Sequence, residues 1–421
     1  AGDDIRRLQE ELTALQREAL LANPLLDFDR LLLVRRSVAS PALGLPQNWQ
    51  SNSSLRNTGF DDSVEVLSPL SPSGELATVY RPGNKFVGDL DLDFSGEKLL
   101  FSMPGDNGRW QVFEMRVDGS GLRQLTGQQP DVDSYDACYL PDGQIVFTST
   151  ACYIGVPCVT GASHVATLYR MDADGGNIRQ LCFDQEHNWC PVVRPDGRVL
   201  YSRWEYTDTP HSNTRLLFSM NPDGTEQRAS YGSNSYWPNA IFYARPIPGC
   251  PSQVVGIVGG HHDHPRMGEL VIFDTARGRF EAEGVVQRIP GFGRKVEPII
   301  ADGLTLNSWP KFLHPYPLSD KYFLVSAKPT PQSLWGIYLV DVFDNMVLIK
   351  ELPDYALLEP LPFRPTAAPP VIPAKVDLGR RDAEVYIPDI YAGDGLRGIP
   401  RGTVQALRLV TYHFAYHDLS G

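Results

Sequence analysis

The sequence predicts an all-β protein built from a closed ring of short four-stranded sheets, and three observations predict it. Glycine and proline number 37 and 35 and are spread along the chain, which is typical of many short strands joined by tight turns. A strand–turn–strand pattern also recurs along the sequence. Its copies lie roughly 50 residues apart, which is within the range of propeller blades.

The recurring pattern is a pair of β-hairpins. The clearest first hairpins are DLDFSGEKLLFSM, YLPDGQIVFTST and VRPDGRVLYSRW, at 91–103, 139–150 and 193–204. Each has two alternating strands around a Ser-Gly or Asp-Gly turn. A second hairpin follows each of them. Because one such sheet cannot bury both of its faces, we expect the sheets to stack around an axis, where ring closure also removes exposed edges.

Further units complete the ring. Two diverged copies occupy 236–289 and 309–350, and three apolar segments before the repeats (FDRLLLVRRS, SVEVLSPL and GELATVYRP) can supply another sheet. The sequence therefore predicts a six-bladed β-propeller over residues 28–352, with seven blades as the alternative count.

The segments on either side of the ring have a different character. Residues 1–27 predict an amphipathic N-terminal helix, since Ile5, Leu8, Leu12 and Leu15 recur at three- and four-residue steps. We expect it to brace the propeller.

At the other end, residues 353–375 are rich in proline and predict an extended linker. Residues 376–421 predict two strands that begin a C-terminal β domain. Two strands cannot form a stable core. We therefore expect this segment to dock on the propeller or to continue in a longer protein, and we favour truncation.

Charge and hydropathy exclude two classes of partner. The net charge is -12 and no run of Lys or Arg occurs, so the basic stripe that a nucleic-acid partner requires is absent. No apolar stretch approaches the roughly 20 residues that span a bilayer, and we expect no membrane insertion.

The six cysteines leave two interpretations open. None forms C-x-x-C or C-x-x-C-H. Cys152 and Cys158 flank a short turn, and Cys182 and Cys190 flank a loop. Two local disulfides would fit an oxidising compartment, whereas buried free thiols in the blade cores fit equally well.

Aromatic residues recur where the innermost strands begin. Alignment of the repeats on their turns brings together Tyr135, Trp189, Trp237 and Trp309. Such positions surround one mouth of a propeller channel, where they either line a ligand or docking site or pack blade against blade. Further candidates for this mouth are His187, Arg203 and His314; an arginine can hold an anionic ligand with two hydrogen bonds.

A histidine-rich run is the candidate metal site. The run GGHHDHPRMGEL contains His261, His262 and His264, and on an extended loop the last two point the same way. These residues could bind a divalent transition metal, but a polar loop after a Gly-Gly turn explains them as well.

The chain contains no G-x-S-x-G and no phosphate-binding glycine loop. Acid–base residues near the same loops, among them Asp184, Glu186 and Glu205, are more typical of a salt-bridged rim. The catalytic residues are therefore unassigned.

Several long stretches resemble the hydrazine synthase alpha-subunit-like family, whose blades are of the TolB-like type: LLDFDRLLLVRR, LPQNWQSNSS, DQEHNWCP, RWEYTDTPH, GSNSYWPNAIFYARPIPG, SWPKFLHPYPLSDKYFLVS and PQSLWGIYLVDVFDN. The resemblance implies a periplasmic or secreted protein with a six-bladed propeller as its middle domain. It also implies a following domain that carries c-type haem through C-x-x-C-H. Hydrazine synthase itself is a multihaem complex that condenses a nitric-oxide-derived intermediate with ammonia.

The lack of C-x-x-C-H means that no haem is covalently bound in this segment, so we expect c-type haem in a downstream domain. The chain would then be the propeller portion of a haem-c-dependent oxidoreductase. It would cover the haem domain, shape the access of a small-molecule substrate and contact partner subunits. Two alternatives are a self-sufficient metal-dependent propeller enzyme, such as a polysaccharide lyase, and a TolB-like protein-binding scaffold.

Overall fold

The computed structural model describes residues 2–127, 129–159, 161–206, 213–262, 265–382, 384–387 and 389–410. The described part of the chain contains one α-helix, α1 (Gly2–Leu21). Its strands are β1 (Leu31–Ser37), β2 (Asp62–Ser68), β3 (Glu75–Tyr80), β4 (Gly88–Leu92), β5 (Lys98–Pro104), β6 (Trp110–Arg116), β7 (Arg123–Gln124), β8 (Ser134–Tyr139), β9 (Ile145–Ser149), β10 (Thr167–Met171), β11 (Arg179–Gln180), β12 (Asn188–Val193), β13 (Val199–Trp204), β14 (Arg215–Met220), β15 (Arg228–Tyr231), β16 (Ala240–Ile247), β17 (Cys250–Gly259), β18 (Glu269–Asp274), β19 (Val285–Ile289), β20 (Lys311–Pro317), β21 (Tyr322–Lys328), β22 (Gly336–Asp341), β23 (Met346–Lys350) and β24 (Tyr355–Pro362).

The strands form five sheets in a propeller-like arrangement. Four sheets have four strands each, in the orders β24-β1-β2-β3, β4-β5-β6-β7, β11-β10-β9-β8 and β20-β21-β22-β23. The fifth contains β12 to β19, and its two halves are joined by a single parallel pair between Arg215 and Ala240. The all-β prediction is confirmed, and the count of six blades stays a prediction.

The hairpins predicted from the repeat are present. The turns at Gly96, Gly143 and Gly197 join β4 to β5, β8 to β9 and β12 to β13, and each of these pairs is antiparallel. All three glycines have φ between 72° and 84°, where a side chain would be strained. The Ser-Gly and Asp-Gly signals were therefore reliable because the turns need that backbone conformation.

The ring closes through a strand that the sequence analysis placed in the Pro-rich linker. β24 pairs antiparallel with β1, from Leu31 opposite Pro362 to Ser37 opposite Tyr355. The start of the predicted linker, at 353, was therefore wrong. Proline is normally excluded from a paired strand, but Pro360 lies where the register between β24 and β1 shifts, so it removes no regular ladder bond.

Apolar side chains fill the spaces between neighbouring sheets. One buried cluster joins Leu32 and Val34 of β1 to Leu99 and Phe101 of β5. Another joins Val255 of β17 to residues of β20 and β21. Each sheet thus buries its faces against the next sheet, which is how the stacked arrangement stabilises strands that could not fold alone.

Helix α1 contacts the propeller through its second half, where the Gln16 amide group donates to the Asn345 side chain over 2.5 Å. Leu20 and Leu21 pack against a buried cluster, while Ile5 and Leu12 are 58% and 66% exposed. The predicted helix is confirmed. No helix in the described part of the chain is long and apolar enough to cross a membrane.

The chain after β24 runs along one end of the ring. The Thr366 amide donates to the Phe94 carbonyl over 2.9 Å, and the Lys375 amide donates to the Asp223 carboxylate over 2.5 Å. In the described residues between 376 and 410 there is no strand, so the predicted C-terminal β domain does not appear in them. The end of its second predicted strand, 411–416, lies outside the described residues.

Closure by β24 predicts a large loss of stability on truncating its core side chains. Leu357→Ala removes a fully buried side chain and should lower the free energy of unfolding by about 2–5 kcal/mol, measured by urea unfolding. Leu378→Ala, at an exposed position, is the matched control and should change it little. Equal effects of the two substitutions would show that β24 is not part of the core.

Candidate functional site

Six strands surround the axis of the ring, and each contributes one side chain to a shared level. These axial strands contact one another in the cyclic order β24, β4, β8, β12, β16, β20. Each has a shift of register, and at that point a non-glycine residue has φ between 47° and 57°. We call these six residues the axial ring: Glu359, Asp89, Asp136, Cys190, Tyr243 and His314.

The axial ring lines a cavity of about 70 Å³. Two residues further along each strand lies a second ring of side chains, made of Leu361, Asp91, Cys138, Val192, Arg245 and Tyr316. The second ring also lines an adjoining cavity of about 120 Å³ that reaches Asp93 and Thr366. The two rings of side chains therefore line one continuous channel, which runs from the axial ring to the end of the propeller where the C-terminal segment lies.

The carboxyl groups of both rings join neighbouring axial strands. Asp136 accepts a hydrogen bond from the Cys190 amide over 2.7 Å, and Glu359 accepts one from the Leu90 amide over 2.7 Å. Asp91 accepts from the Tyr139 amide over 2.9 Å. Bulges leave backbone N–H groups without ladder partners, and Glu359 and Asp136 satisfy two of them, at Leu90 and Cys190. The Tyr139 amide lies beyond the bulge of its own strand.

Burial raises the pKa of the channel carboxyls. It raises the pKa of Asp136 and of Glu359 to about 7, and the negative charge of Asp89 raises both further. Burial also raises the pKa of Asp91 to about 6, although the charge of Arg245 opposes it. Near neutral pH these groups therefore hold part of their protons, because the cavity offers few counter-charges.

Arg245 is the cation of the second ring. Its guanidinium carbon lies 5.5 Å from the centre of the Tyr316 ring. Among the residues that the structure describes, its guanidinium group forms no hydrogen bond and no ion pair, although its charge acts on Asp91. Burial, followed by the positive charges of Arg36 and Arg245, lowers the pKa of His314 to about 3, so that imidazole is neutral.

A loop at residues 45–54 covers the other end of the channel, and we call it the plug. Ser51 joins it to the ring: its hydroxyl lies 3.1 Å from His187 Nδ1 and accepts from Trp189 Nε1 over 2.7 Å. The Asn52 amide group donates to Asp89 over 2.7 Å. The Arg266 amide donates to the Pro46 carbonyl over 3.0 Å. The plug thus rests directly on the axial ring.

The protonation of His187 follows from these contacts. Its Nδ1 also accepts from the Ala166 amide over 3.0 Å, so the ring proton belongs on Nε2. Burial and the charge of Arg266 hold the pKa of His187 well below its usual range. The histidine is a neutral acceptor that fixes the plug.

The predicted mouth residues are distributed between the core and the surface. His187, Trp189 and Tyr135 are buried beneath the plug, and the ring of Trp189 stacks on that of His187 at 4.8 Å. Trp237 is also buried. The structure brings one of the predicted candidates, His314, into the axial ring.

The other two candidates lie away from the axis. Arg203 forms an ion pair with Asp184 at 2.9 Å, and Trp309 is exposed beside Lys311. Ligand binding by the predicted set stays a prediction.

The histidine run forms part of a three-residue cluster. His261, His262 and Asp302 have potential ligand atoms within 4.8 Å of one another, and His262 Nδ1 lies 3.0 Å from an Asp302 carboxylate oxygen. The third predicted ligand, His264, lies outside the described residues. Asp302 was missed, because it is 40 residues away from His262 in the chain and no local spacing marks it.

Most of the axial ring was also missed from the sequence. The sequence pattern that marks the axial ring is a set of aligned triplets in the six axial strands: DLD, DAC, CPV, YAR, HPY and EPL. No single residue type occupies the first position of all six triplets, which is Asp in two of them and Cys, Tyr, His or Glu in the others. The turn-based alignment therefore selected aromatic residues beside the strands instead.

The cysteines are free thiols where the structure describes them. Cys138, Cys182 and Cys190 are buried, and Cys152 is partly buried. The pair Cys182 and Cys190 thus follows the thiol alternative. The side chain of Cys158 lies outside the described set.

Glu186, which precedes His187 in the chain, is a buried acid. Its side chain is 1% exposed, and neither carboxyl oxygen has a hydrogen-bond partner among the described residues. Burial alone raises its pKa to about 9, so it is protonated at neutral pH.

Comparison with known proteins finds a likeness of fold. Hydrazine synthase from Kuenenia stuttgartiensis matches with a TM-score of 0.61 and 18% identity, over 82% of this chain and 48% of that chain. The chain thus spans about half the length of that relative. At this identity the likeness shows the fold alone.

Two further structures are similar at lower TM-scores. A putative TolB from Agrobacterium tumefaciens has a TM-score of 0.40 and 16% identity, over 62% of this chain and 90% of that chain. An oligogalacturonate lyase in complex with manganese has a TM-score of 0.41 and 14% identity, over 74% and 90%. No family model and no curated protein matches the sequence.

The raised pKa of Glu186 predicts a specific pH dependence. The folded protein keeps this proton up to about pH 9, whereas an unfolded glutamate ionises near its model value of 4.5. Between these values the folded state binds more protons, so the free energy of unfolding falls as pH rises, by about 1.4 kcal/mol per pH unit. Glu186→Gln removes this contribution and should flatten the decline, measured by urea unfolding at pH 6, 7 and 8. Glu97→Gln, at an exposed position, should leave the slope unchanged; parallel slopes for wild type and Glu186→Gln would contradict the assignment.

Proposed function

We propose that this chain is the propeller part of a haem-c-dependent redox protein of the hydrazine-synthase-like type, with the haem held outside these residues. The propeller would cover the haem domain, shape the access of a small-molecule substrate and contact partner subunits. We further propose a periplasmic or secreted location, as the resemblance implies.

The observation that carries this proposal is where the family-like stretches meet. LPQNWQSNSS supplies the plug, and DQEHNWCP supplies His187 and Trp189, which hold the plug through Ser51. GSNSYWPNAIFYARPIPG supplies β16 with Tyr243. Three of the seven stretches, distant in sequence, thus supply residues around one end of the channel, and two of them are joined there by hydrogen bonds.

Exposed apolar residues after the propeller support a docking role. Leu378, Tyr386 and Leu409 are 80%, 87% and 81% exposed. Large apolar side chains this exposed are candidates for an interaction surface. Under the proposal, the haem domain or a partner subunit covers them.

We also propose six blades. The eight-stranded sheet consists of β12–β15 and β16–β19, which are connected by one parallel residue pair. Each half carries one axial strand. Counting the halves separately gives each axial strand its own blade, so the total equals the number of axial strands.

The haem proposal is tested on the full-length protein purified from its natural host. We expect covalently attached c-type haem, detected as a haem stain that survives denaturing electrophoresis and as a pyridine haemochrome spectrum. Residues 1–421 have no C-x-x-C-H, so peptides from this region should carry no haem by mass spectrometry. A full-length protein without haem absorbance would overturn the proposal.

A second candidate function rests on the cluster of His261, His262 and Asp302. Two imidazoles and a carboxylate form a ligand set that catalytic transition-metal sites use, with an open position for water or substrate. These residues would hold the ion, and the ion would act as a Lewis acid. The chain would then be a metal-dependent propeller enzyme such as a polysaccharide lyase.

Metal analysis distinguishes this second function. A metalloenzyme should contain one divalent ion per chain, and His262→Ala should lose most of it, since a missing ligand weakens binding strongly. His314→Ala, in the axial ring, is the matched histidine control and should retain the ion. A purified protein without stoichiometric metal after incubation with Mn²⁺ or Zn²⁺ would exclude the metal function.

A further inference from the structure

We propose that the axial cavity binds a small zwitterion, an amino-carboxylate whose ammonium group contacts the carboxyls of the axial ring and whose carboxylate pairs with Arg245. This inference concerns a site different from the haem and from the histidine cluster. It holds whether or not the haem proposal does.

The first support is the distribution of charge around the axis. The three acids of the axial ring, Glu359, Asp89 and Asp136, lie on consecutive axial strands, β24, β4 and β8. Arg245 lies on β16, which is opposite β4 in the cyclic order, and one level lower. The cavity thus has a negative side at one level and a positive group across the channel at the next.

The second support is unused hydrogen-bonding capacity. In each of Asp136 and Glu359, one carboxyl oxygen accepts a backbone amide, and a carboxylate has acceptor sites on both oxygens. The Arg245 side chain carries five N–H donors, lies over the Tyr316 ring and forms no hydrogen bond or ion pair among the described residues. The buried Nδ1 atom of His314 likewise has no partner there.

The third support is the size and lining of the space. The axial cavity of about 70 Å³ and the adjoining cavity of about 120 Å³ hold several water-sized groups, since a space of roughly 10–15 Å³ holds one water, and they limit the ligand to a small molecule. The two levels are two residues apart along each strand, which is roughly 6.5 Å. The rings of Tyr243 and His314, 4.4 Å apart, and Leu361 provide the less polar wall for a short carbon chain.

Ligands of a single charge fit this arrangement less well. An anion would pair with Arg245 but would meet four acids, Asp89, Asp91, Asp136 and Glu359. A simple cation would satisfy the acids but leave Arg245 unpaired. A directly coordinated metal is also disfavoured: in the described part of the chain, three ligand atoms lie within 4.8 Å of one another in the His261 cluster and not in the axial ring.

The structure also indicates the route of entry. The plug covers the axial ring on one side through Asn52 and Asp89. On the other side, the second ring leads to the cavity beside Thr366. A ligand therefore enters past Arg245, which would attract its carboxylate first and orient the ammonium group toward the acids.

The test is calorimetric titration of the purified protein with glycine, β-alanine and γ-aminobutyrate, which differ in the separation of their charges. We expect at least one of them to bind with a dissociation constant of about 1 mM or tighter. Propylamine and propionate, each with one charge, should bind at least about tenfold more weakly, since each loses one charged hydrogen-bonding partner. Equal binding of the single-charge probes, or no binding of any zwitterion, would overturn the proposal.

Variants assign the two ends of the ligand. Arg245→Gln should weaken zwitterion binding at least about tenfold while leaving propylamine binding unchanged. Glu359→Gln should weaken propylamine and the zwitterion together. Arg277→Gln, at an exposed arginine, is the matched control and should bind as wild type does.

A ligand-observed measurement covers the case in which a variant does not fold. Saturation-transfer NMR on the wild-type protein follows the signal of the bound zwitterion in isotope-labelled form. Excess propylamine and propionate together should lower this signal less than an equal concentration of the unlabelled zwitterion does. Full displacement by the single-charge mixture would show that the site does not need both charges in one molecule and would contradict the inference.

Discussion

The antiparallel pairing of β24 with β1 is the constraint on which the rest of the structure depends. It joins the last strand of the propeller to the first sheet, from Leu31 opposite Pro362 to Ser37 opposite Tyr355. Without it the first sheet would have an unpaired edge, and the axis would lack one of its six strands. Ring closure replaces exposed strand edges by ladder bonds, and it fixes the axial strands at distances where their side chains meet.

Closure also explains the unusual backbone at the axis. Six non-glycine residues there have φ between 47° and 57°, a conformation that costs roughly 1 kcal/mol or more per residue. Glycine would adopt it freely, yet the axial ring contains none. The side chains recover part of this cost: Asp136 and Glu359 accept backbone amides from the next axial strand, and Asp89 holds the plug. The same bulges that strain the backbone aim these groups into the channel.

Sequence reasoning predicted the parts of this fold that follow from local rules. The hairpins were predictable because Gly96, Gly143 and Gly197 occupy turns that require positive φ. Helix α1 was predictable from the spacing of Ile5 and Leu8. β24 was not, because Pro360 and Pro362 suggest a linker. Pro360 is accommodated by the register shift opposite β1, and Pro362 is the last residue of the strand, opposite Leu31. The site was the least predictable part, since the axial ring and Asp302 depend on contacts between residues far apart in the chain.

Amide hydrogen exchange on the full chain tests ring closure most directly. The account predicts that the amides of β24 that bond to β1, between Ala356 and Leu361, are protected as strongly as those of β1, because both open only when the propeller unfolds. The segment at 363–375, which is mostly without ladder pairing, should exchange much faster. If β24 exchanged at the rate of that segment while β1 stayed protected, the ring would not be closed by this pair, and the axial ring could not be assembled as described.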